Sequence, residues 1–187
     1  MSTRDRILDA AATVLRERGI ARATTKEIAR AAGCSEALLY KYFADKQELF
    51  LGVLTERSPQ LDPPHDLVGR RTVVENVTTL VRQLLAFYVR SFPMAASILG
   101  APELLAAHRA GLHRHGAGPE GPARHLQAYL DAEAAAGRVS ADVDTEAAAR
   151  TLAGAALIEA FLAVYTGLTE VPDAEARARA IVGSVRL

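Results

Sequence analysis

Apolar residues recur every three or four positions along nearly all of the 187-residue chain, which is the spacing of one face of an α-helix. Segments that alternate between apolar and polar residues and are rich in β-branched side chains, as strands are, are not apparent. The pattern therefore predicts an all-α fold of about nine helices. The first helix is expected over about 4–18, with Gly19 as its stop.

The residues that follow predict the starts of three further helices. Thr24 and Glu27 have the spacing of a capping box, in which each side chain bonds the backbone amide of the other residue. Gly33 can adopt the left-handed backbone of a sharp turn, Ser35 can cap the next helix, and Asp45 can cap the one after it, over 46–57. Two short helices joined by such a turn predict a helix-turn-helix unit.

Three prolines in the segment 58–69 break helix continuity, so the chain is expected to divide into domains 1–57 and 58–187. The glycine-rich segment 115–122 is expected to be a flexible loop. The helices predicted beyond the boundary are 72–92, 95–112 with an interruption near Gly100, 123–136, 145–167 and 172–185.

The segment T-T-K-E-I-A-R-A-A-G-C-S-E-A-L-L-Y-K-Y-F-A-D-K-Q-E-L-F, residues 24–50, resembles the DNA-binding segment of the tetracycline-repressor (TetR) family. The resemblance implies an N-terminal three-helix helix-turn-helix domain and a larger helical domain for ligand binding and dimerisation. Three positions depart from the family pattern: Cys34, Glu36 and Leu38. No motif of an enzyme active site is present, and neither an enzyme activity nor a cofactor is predicted.

A recognition helix presents its first turns to the major groove. The hydroxyls of Ser35 and Tyr40 can donate to phosphate, and Lys41 and Lys46 can neutralise it. Thr25 is placed to bond the DNA backbone in the same way, and the resemblance implies a contact from Lys26. The predicted DNA-binding residues are Thr25, Lys26, Ser35, Glu36, Ala37, Leu38, Tyr40, Lys41, Tyr42 and Lys46.

Two of these residues keep a second interpretation. Glu36 either accepts a hydrogen bond from a cytosine amino group or serves local capping and solvent contact. Tyr40 either packs its ring in the core or presents its hydroxyl outward, whereas Phe43 is expected in the core. Leu38 offers no hydrogen bond, so a contact with DNA would favour a thymine methyl group.

Charge and cysteine content limit the partners and the compartment. The chain has 22 Lys and Arg against 22 Asp and Glu, and residues 1–57 have ten against eight, a net charge of +2. DNA binding is therefore expected to depend strongly on salt and on dimerisation. A single cysteine, Cys34, and the lack of a long uncharged apolar run predict a cytoplasmic protein without a membrane partner.

The predicted helix 145–167 carries small residues that let another helix approach closely. The resemblance implies that this helix and the last one, together 145–185, form a four-helix homodimer interface. The alternative is that the same stripe packs only inside one subunit. The residues considered are Ala149, Leu152, Ala153, Ala156, Ala160, Phe161, Ala163, Leu168, Ile181, Val182 and Val185.

A pocket for an unknown small-molecule effector is implied by the resemblance. Its candidate walls combine aromatic rings with a few polar groups, as ligand sites do. Glu159 needs a partner, which could be a cationic ligand, Arg90 or water. Core packing is the alternative for the apolar members. The candidates are Phe87, Tyr88, Phe92, Met94, Tyr129, Glu159 and Tyr165.

His108, His113 and His115 have spacings that do not suit one helical face, so solvated histidines are favoured over a metal site, and no metal is predicted. The function expected is a repressor whose dimer binds a palindromic operator and is released by an effector. Activation, or regulation without a ligand, stays open. A helical binding or scaffolding protein with a purely structural helix-turn-helix is the alternative class.

Overall fold

The computed structural model describes residues 1–19, 22–57, 61, 63–114 and 118–187. In these ranges the chain forms nine α-helices and one short 3₁₀ helix, with no strand, which confirms the all-α prediction. The α-helices are α1 (Thr3–Arg18), α2 (Thr25–Ala31), α3 (Glu36–Tyr42), α4 (Lys46–Glu56), α5 (Val73–Leu99), α6 (Pro102–Arg114), α7 (Gly121–Ala135), α8 (Thr145–Tyr165) and α9 (Ala174–Gly183), and the 3₁₀ helix is Pro64–Leu67.

The helix starts follow from the capping residues. Thr24 and Glu27 form the predicted capping box, and the Asp45 side chain accepts from the amide of Glu48 at 2.7 Å. Ser35 accepts from the amide of Leu38 at 3.1 Å. Each cap satisfies an amide that a helix would otherwise leave without a partner. The predicted starts of α2, α3 and α4 are thus confirmed.

Two compact units divide the chain, residues 1–59 with 93–116 and residues 60–92 with 117–187. The first unit has its own apolar core, built by α1 to α4, the end of α5 and α6. The predicted boundary at residue 57 left 93–116 out of this unit. Buried core residues include Ile7, Leu8, Leu15, Ile28, Leu39, Phe43, Leu49, Val53, Met94, Ile98 and Leu104.

Helix α5 continues through Pro93 to Leu99, whereas the sequence predicted an end at Phe92. A proline inside a helix removes one backbone hydrogen bond. Burial offsets that loss, because Val89 is 5% exposed in one core and Met94 is 5% exposed in the other. Part of the proline-containing segment 58–69 forms the 3₁₀ helix Pro64–Leu67, and residues 58–60 and 62 lie outside the described residues. Residues 115–117 of the predicted flexible loop also lie outside them.

The second unit packs α5, α7, α8 and α9 around one core. The alanine stripe of α8 faces this core, and its small side chains let α7 approach closely. Ile181 and Val182 of α9 are buried there too. The buried members of the predicted stripe therefore pack within one subunit, whereas Leu168 of the same set is 46% exposed. The buried residues of α8 are Ala148, Ala149, Leu152, Ala153, Ala156, Ala160 and Ala163.

A buried polar cluster joins the start of α5 to α7. The Tyr129 hydroxyl donates to Glu133 Oε1 at 2.7 Å, and the Asn76 amide donates to the Tyr129 oxygen at 2.9 Å. Glu133 is fully buried, accepts from the amide of Gly69 at 3.2 Å, and lies 3.3 Å from an Arg138 guanidinium nitrogen. Burial and the Glu133 carboxylate raise the pKa of Tyr129. Arg138 also donates to the carbonyl of Arg71, so the cluster fixes the turn before α5.

In the first unit, Arg57 links the end of α4 to α1. Its guanidinium binds Asp5 Oδ1 at 2.8 Å and Asp9 Oδ1 at 2.7 Å. The Ser2 hydroxyl and Arg57 lower the pKa of Asp5 to about 2. A lowered pKa means that Asp5 stabilises the fold above the ordinary pKa of aspartate and that this contribution is lost as pH falls through about 2.

Replacing Arg57 by alanine is expected to raise the pKa of Asp5 towards its ordinary value. The shift will be partial, because the Ser2 hydroxyl still donates to the Asp5 carboxylate at 2.7 Å. Carboxyl NMR shifts followed from pH 6 down to pH 2 (roughly, the range over which aspartate titrates) measure it. The control is Arg16→Ala, which removes an exposed arginine near the end of α1 that does not contact Asp5. An unchanged Asp5 titration in Arg57→Ala would contradict the interpretation.

Candidate nucleic-acid interface

Helix α3 has one buried side and one exposed side. Leu39 is fully buried and Phe43, just after the helix, is 2% exposed, so both anchor α3 in the core. Tyr40 and Tyr42 are 45% and 42% exposed, and Lys41 between them is exposed as well. The interpretation of Phe43 as a core residue is thus confirmed. The exposed side offers hydroxyl and ammonium donors of the kind that bind DNA.

The turn between α2 and α3 is tight. Gly33 has a positive φ of 65°, which disfavours any side chain, and the amide of Cys34 donates to the carbonyl of Ala29 at 2.9 Å. Arg6 of α1 donates to the carbonyl of Ala32 at 3.2 Å. The turn is therefore fixed from two sides, and the start of α3 is held in a defined orientation with Ser35, Ala37 and the partly buried Leu38 on its first turn.

Thr25 and Glu36, both predicted DNA contacts, bind one another. The Thr25 hydroxyl donates to Glu36 Oε1, and the Tyr40 hydroxyl donates to Thr25 Oγ1 at 3.3 Å. Thr25 is buried, with 9% of its surface exposed, whereas Glu36 is exposed. Glu36 does not cap α3, since Ser35 does so. The local partner of Glu36 is a hydroxyl across the turn, which neither interpretation of the sequence had named.

Basic side chains around α2 and α3 differ in their partners. Among the residues that the structure describes, the exposed Lys26, Arg30 and Lys41 have no ion-pair partner. Lys46 is partly buried, and its ammonium lies 5.1 Å from the centre of the Phe50 ring. Arg30 was not predicted as a contact, although its position one turn after Lys26 on α2 was a signal for it.

Several other arginines of this unit are already neutralised. Arg4 makes a bidentate pair with Glu56 at 2.6 and 2.7 Å, and Arg57 pairs with two aspartates of α1. Arg18 pairs with Glu27. Lys26, Arg30 and Lys41 are not among these pairs, so they leave positive charge exposed at the helix-turn-helix although the net charge of the unit is small.

The outer side of α8 exposes a continuous apolar stripe, here called the outer stripe and defined by Leu157, Ile158, Leu162 and Tyr165. These side chains are 40%, 51%, 50% and 79% exposed. Their spacing places them on one face, opposite the alanines in the core. By length and composition α8 is apolar enough to cross a membrane, with only 39% of the relevant window buried. Contiguous exposed apolar patches are typical of contact sites.

The predicted pocket residues do not come together as one set. Phe92 stacks edge-on against Phe161 with ring centres 5.5 Å apart, and Phe161 lies 5.8 Å from Tyr165. In the sequence Phe161 was considered only for the dimer. Met94 packs in the core of the first unit, and Tyr129 is fully buried in the polar cluster of the second.

The remaining pocket candidates have local partners. Phe87 and Tyr88 pack edge to face at 5.4 Å, and burial raises the pKa of Tyr88 to about 12. Glu159 pairs with Arg177 of α9 at 3.6 Å, so its partner is not Arg90. An open groove of about 350 Å³ near Asp142, Asp144 and Arg186 includes none of the candidates.

The histidine cluster is only partly described. His108 is partly buried, and desolvation lowers its pKa. The side chain of His113 and the whole of His115 lie outside the described residues. Within the described part of the chain, no group of three or more His, Cys, Asp or Glu side chains is arranged to hold a metal ion.

Comparison with known proteins gives matches at both ends of the chain. Residues 7–53 match the family described as bacterial regulatory proteins, tetR family. Residues 75–187 match the family described as the C-terminal domain of AefR-like transcriptional repressors. The second match alone covers more than half of the chain. The chain therefore belongs to the TetR family of bacterial regulatory proteins.

Curated relatives match over part of their length. The nucleoid occlusion factor SlmA of Aliivibrio fischeri is 35% identical over 91 residues, 47% of this chain and 46% of that protein. The uncharacterized HTH-type transcriptional regulator Rv1255c of Mycobacterium tuberculosis is 33% identical over 132 residues, 63% of this chain and 64% of that protein. The chain thus spans about half to two thirds of the length of these relatives.

Solved structures share the whole fold at low sequence identity. A TetR-family transcriptional regulator from Mesorhizobium loti has a TM-score of 0.80 at 21% identity, covering 97% of this chain and 94% of that one. FadR from Bacillus subtilis, solved in complex with stearoyl-CoA, has a TM-score of 0.69 at 18% identity, with 96% and 95% covered. Regulators of this family bind operator DNA, dimerise and bind small molecules.

Proposed function

We propose that this regulator is a cytoplasmic repressor whose homodimer binds a palindromic operator and is released by a small-molecule effector. The observation that carries the proposal is the division of α3, with Leu39 anchored in the core while Tyr40, Lys41 and Tyr42 stand exposed beside a fixed turn. A helix held in this way can enter a major groove without rearranging its core.

In this proposal residues 1–57 read DNA and residues 58–187 dimerise and bind the effector. Lys26, Lys41 and Lys46 hold phosphates, Tyr40 and Ser35 add hydrogen bonds, and Ala37, Leu38 and Tyr42 contact the groove. Because the net charge of residues 1–57 is small, one subunit binds DNA weakly. High affinity for the operator needs the helix-turn-helix units of two linked subunits.

A second copy of the chain is the proposed occupant of the outer stripe. Dimerisation is a property of the family, and the stripe is the extended apolar surface that α8 leaves uncovered. A two-fold contact would bring the same stripe of each subunit together and cover it. The proposal excludes a membrane as the occupant, because Arg150 and Glu159 also lie on α8 and Glu159 is paired with Arg177.

The effector site is proposed in the second unit near the aromatic row Phe92, Phe161 and Tyr165, with the Phe87–Tyr88 pair about one turn earlier on α5. Aromatic walls with a few polar tips suit a largely apolar ligand. The effector acts only if it binds the form that does not bind DNA more tightly than the form that does. No enzyme activity is proposed, since the family consists of regulators.

Replacing Tyr40 and Lys41 by alanine is expected to abolish specific DNA binding while the dimer persists. Each lost lysine contact reduces the slope of log K against log salt by about one unit per subunit. The measurement is selection of bound sites from a random duplex pool, followed by titration of the selected site at several salt concentrations. Arg150→Ala, which removes an exposed charge of the second unit, is the control.

The outcome separates regulator from scaffold. Loss of binding by Tyr40→Ala and Lys41→Ala together, with an unchanged sedimentation coefficient, supports the proposal. A wild-type chain that selects no palindromic site at low salt, or a double variant that binds as the wild type does, would overturn it.

A further inference from the structure

The hydroxyl groups of Thr25 and Tyr40 form a directed chain that ends on Glu36. Tyr40 donates to Thr25 Oγ1 at 3.3 Å, and Thr25 donates to a Glu36 carboxylate oxygen. A hydroxyl has one proton to donate. Both protons are therefore used inside the protein, and neither hydroxyl is free to donate to a DNA phosphate while the chain is intact.

The Glu36 side chain does not cap α3. Ser35 caps the helix by accepting from the amide of Leu38 at 3.1 Å, so the Glu36 side chain is not required there. Glu36 is also exposed and has no arginine or lysine partner among the described residues. Its charge therefore has no ion-pair partner among the described residues, on the exposed side of α3 where the proposed function places phosphates.

We propose that Glu36 is a positioning residue that limits affinity for the DNA backbone, because its carboxylate occupies the donors that a phosphate would use. The inference rests on the proposed function and names a residue that tunes it. A phosphate that accepts from Thr25 must replace the Glu36 carboxylate as acceptor, one that accepts from Tyr40 must replace Thr25 Oγ1, and either phosphate must approach the like charge of Glu36. The result is a lower affinity for every duplex, independent of its sequence, and a faster release.

The test is Glu36→Gln, since a glutamine oxygen can still accept from Thr25 while the charge is removed. Affinity for random duplex and for the selected operator is expected to rise by the same factor, about three- to tenfold at low salt, as for an exposed charge near a phosphate. The slope of log K against log salt is expected to become steeper by up to about one unit per subunit. Glu17→Gln removes the same charge from an exposed site on α1 and is the control.

A second pair of variants tests whether Glu36 acts through Thr25. In Thr25→Val the hydroxyl is gone, so Glu36→Gln in that background is expected to give a smaller gain than it gives in the wild type. An additive double variant would overturn the role of the hydroxyl chain. Unchanged affinities and slopes in Glu36→Gln, with only a changed melting temperature, would reduce Glu36 to a structural role and overturn the inference.

Two other results are distinguishable. If Glu36→Gln changes the preferred base at one operator position and leaves random duplex unaffected, Glu36 reads a base and the inference is wrong while the proposed function stands. If the wild type selects no site at all, the proposed function fails first, whatever the variants do.

Discussion

The double substitution Ile158→Glu and Leu162→Glu is expected to leave the chain folded but monomeric at micromolar concentration. Both residues lie on the outer stripe, 51% and 50% exposed, so neither substitution disturbs the subunit core. In a two-fold dimer each one occurs twice, and the four carboxylates would be buried against apolar surface and one another. Self-association is expected to weaken by at least about a hundredfold, and operator affinity to fall with it.

Sedimentation equilibrium measures the association, and circular dichroism checks that the helices persist. Val74→Glu is the matched control, because Val74 is an exposed valine of the same unit, on α5, at 56% exposure. The control is expected to dimerise as the wild type does. A double variant that still sediments as a dimer, or a wild type that needs detergent to stay in solution, would show that a second copy does not cover the stripe.

Removing the buried carboxylate by Glu133→Ala is expected to destabilise the second unit strongly. Arg138 would lose its partner, and the Tyr129 hydroxyl and the Gly69 amide would lose their acceptor. Breaking one side of a buried ion pair costs about 3–5 kcal/mol. Denaturant unfolding monitored by tyrosine fluorescence and circular dichroism measures the loss in free energy of unfolding.

Two variants give this experiment its controls. Glu146→Ala removes a carboxylate of an exposed pair with Arg150, whose contribution is at most about 1 kcal/mol. Glu133→Leu combined with Arg138→Met removes both charges, and it is expected to recover part of the loss because no buried charge is left unpaired. A loss in Glu133→Ala no larger than in Glu146→Ala would mean that the cluster contributes little to stability.

Local signals were enough to predict the DNA-binding half. The starts of α2, α3 and α4 depend on capping side chains within three residues, so the sequence contains all the information that places them. Gly33 and its positive φ follow from the same local logic. The exposed side of α3 could be predicted as well, because Leu39 and Phe43 mark the buried one.

The second half depended on information that is not local. On α8 both faces are apolar, so periodicity could not tell that the alanines and Leu152 pack inward while Leu157, Ile158 and Leu162 stay exposed. Pro93 predicted a helix end, but burial of Met94 offsets the missing hydrogen bond. Asn76, which donates to Tyr129, and Arg177, which pairs with Glu159, come from other helices, and no spacing along the chain reveals such partners.

The two sides of α8 make different contacts. Its alanines set how near α7 comes, whereas its larger side chains stand outside that contact. In the proposed dimer, substitutions among the four residues of the outer stripe can therefore change which subunits associate without repacking the interior. A duplicated copy of this regulator in the same cell could become insulated from its parent through a handful of such changes, before any divergence of its interior.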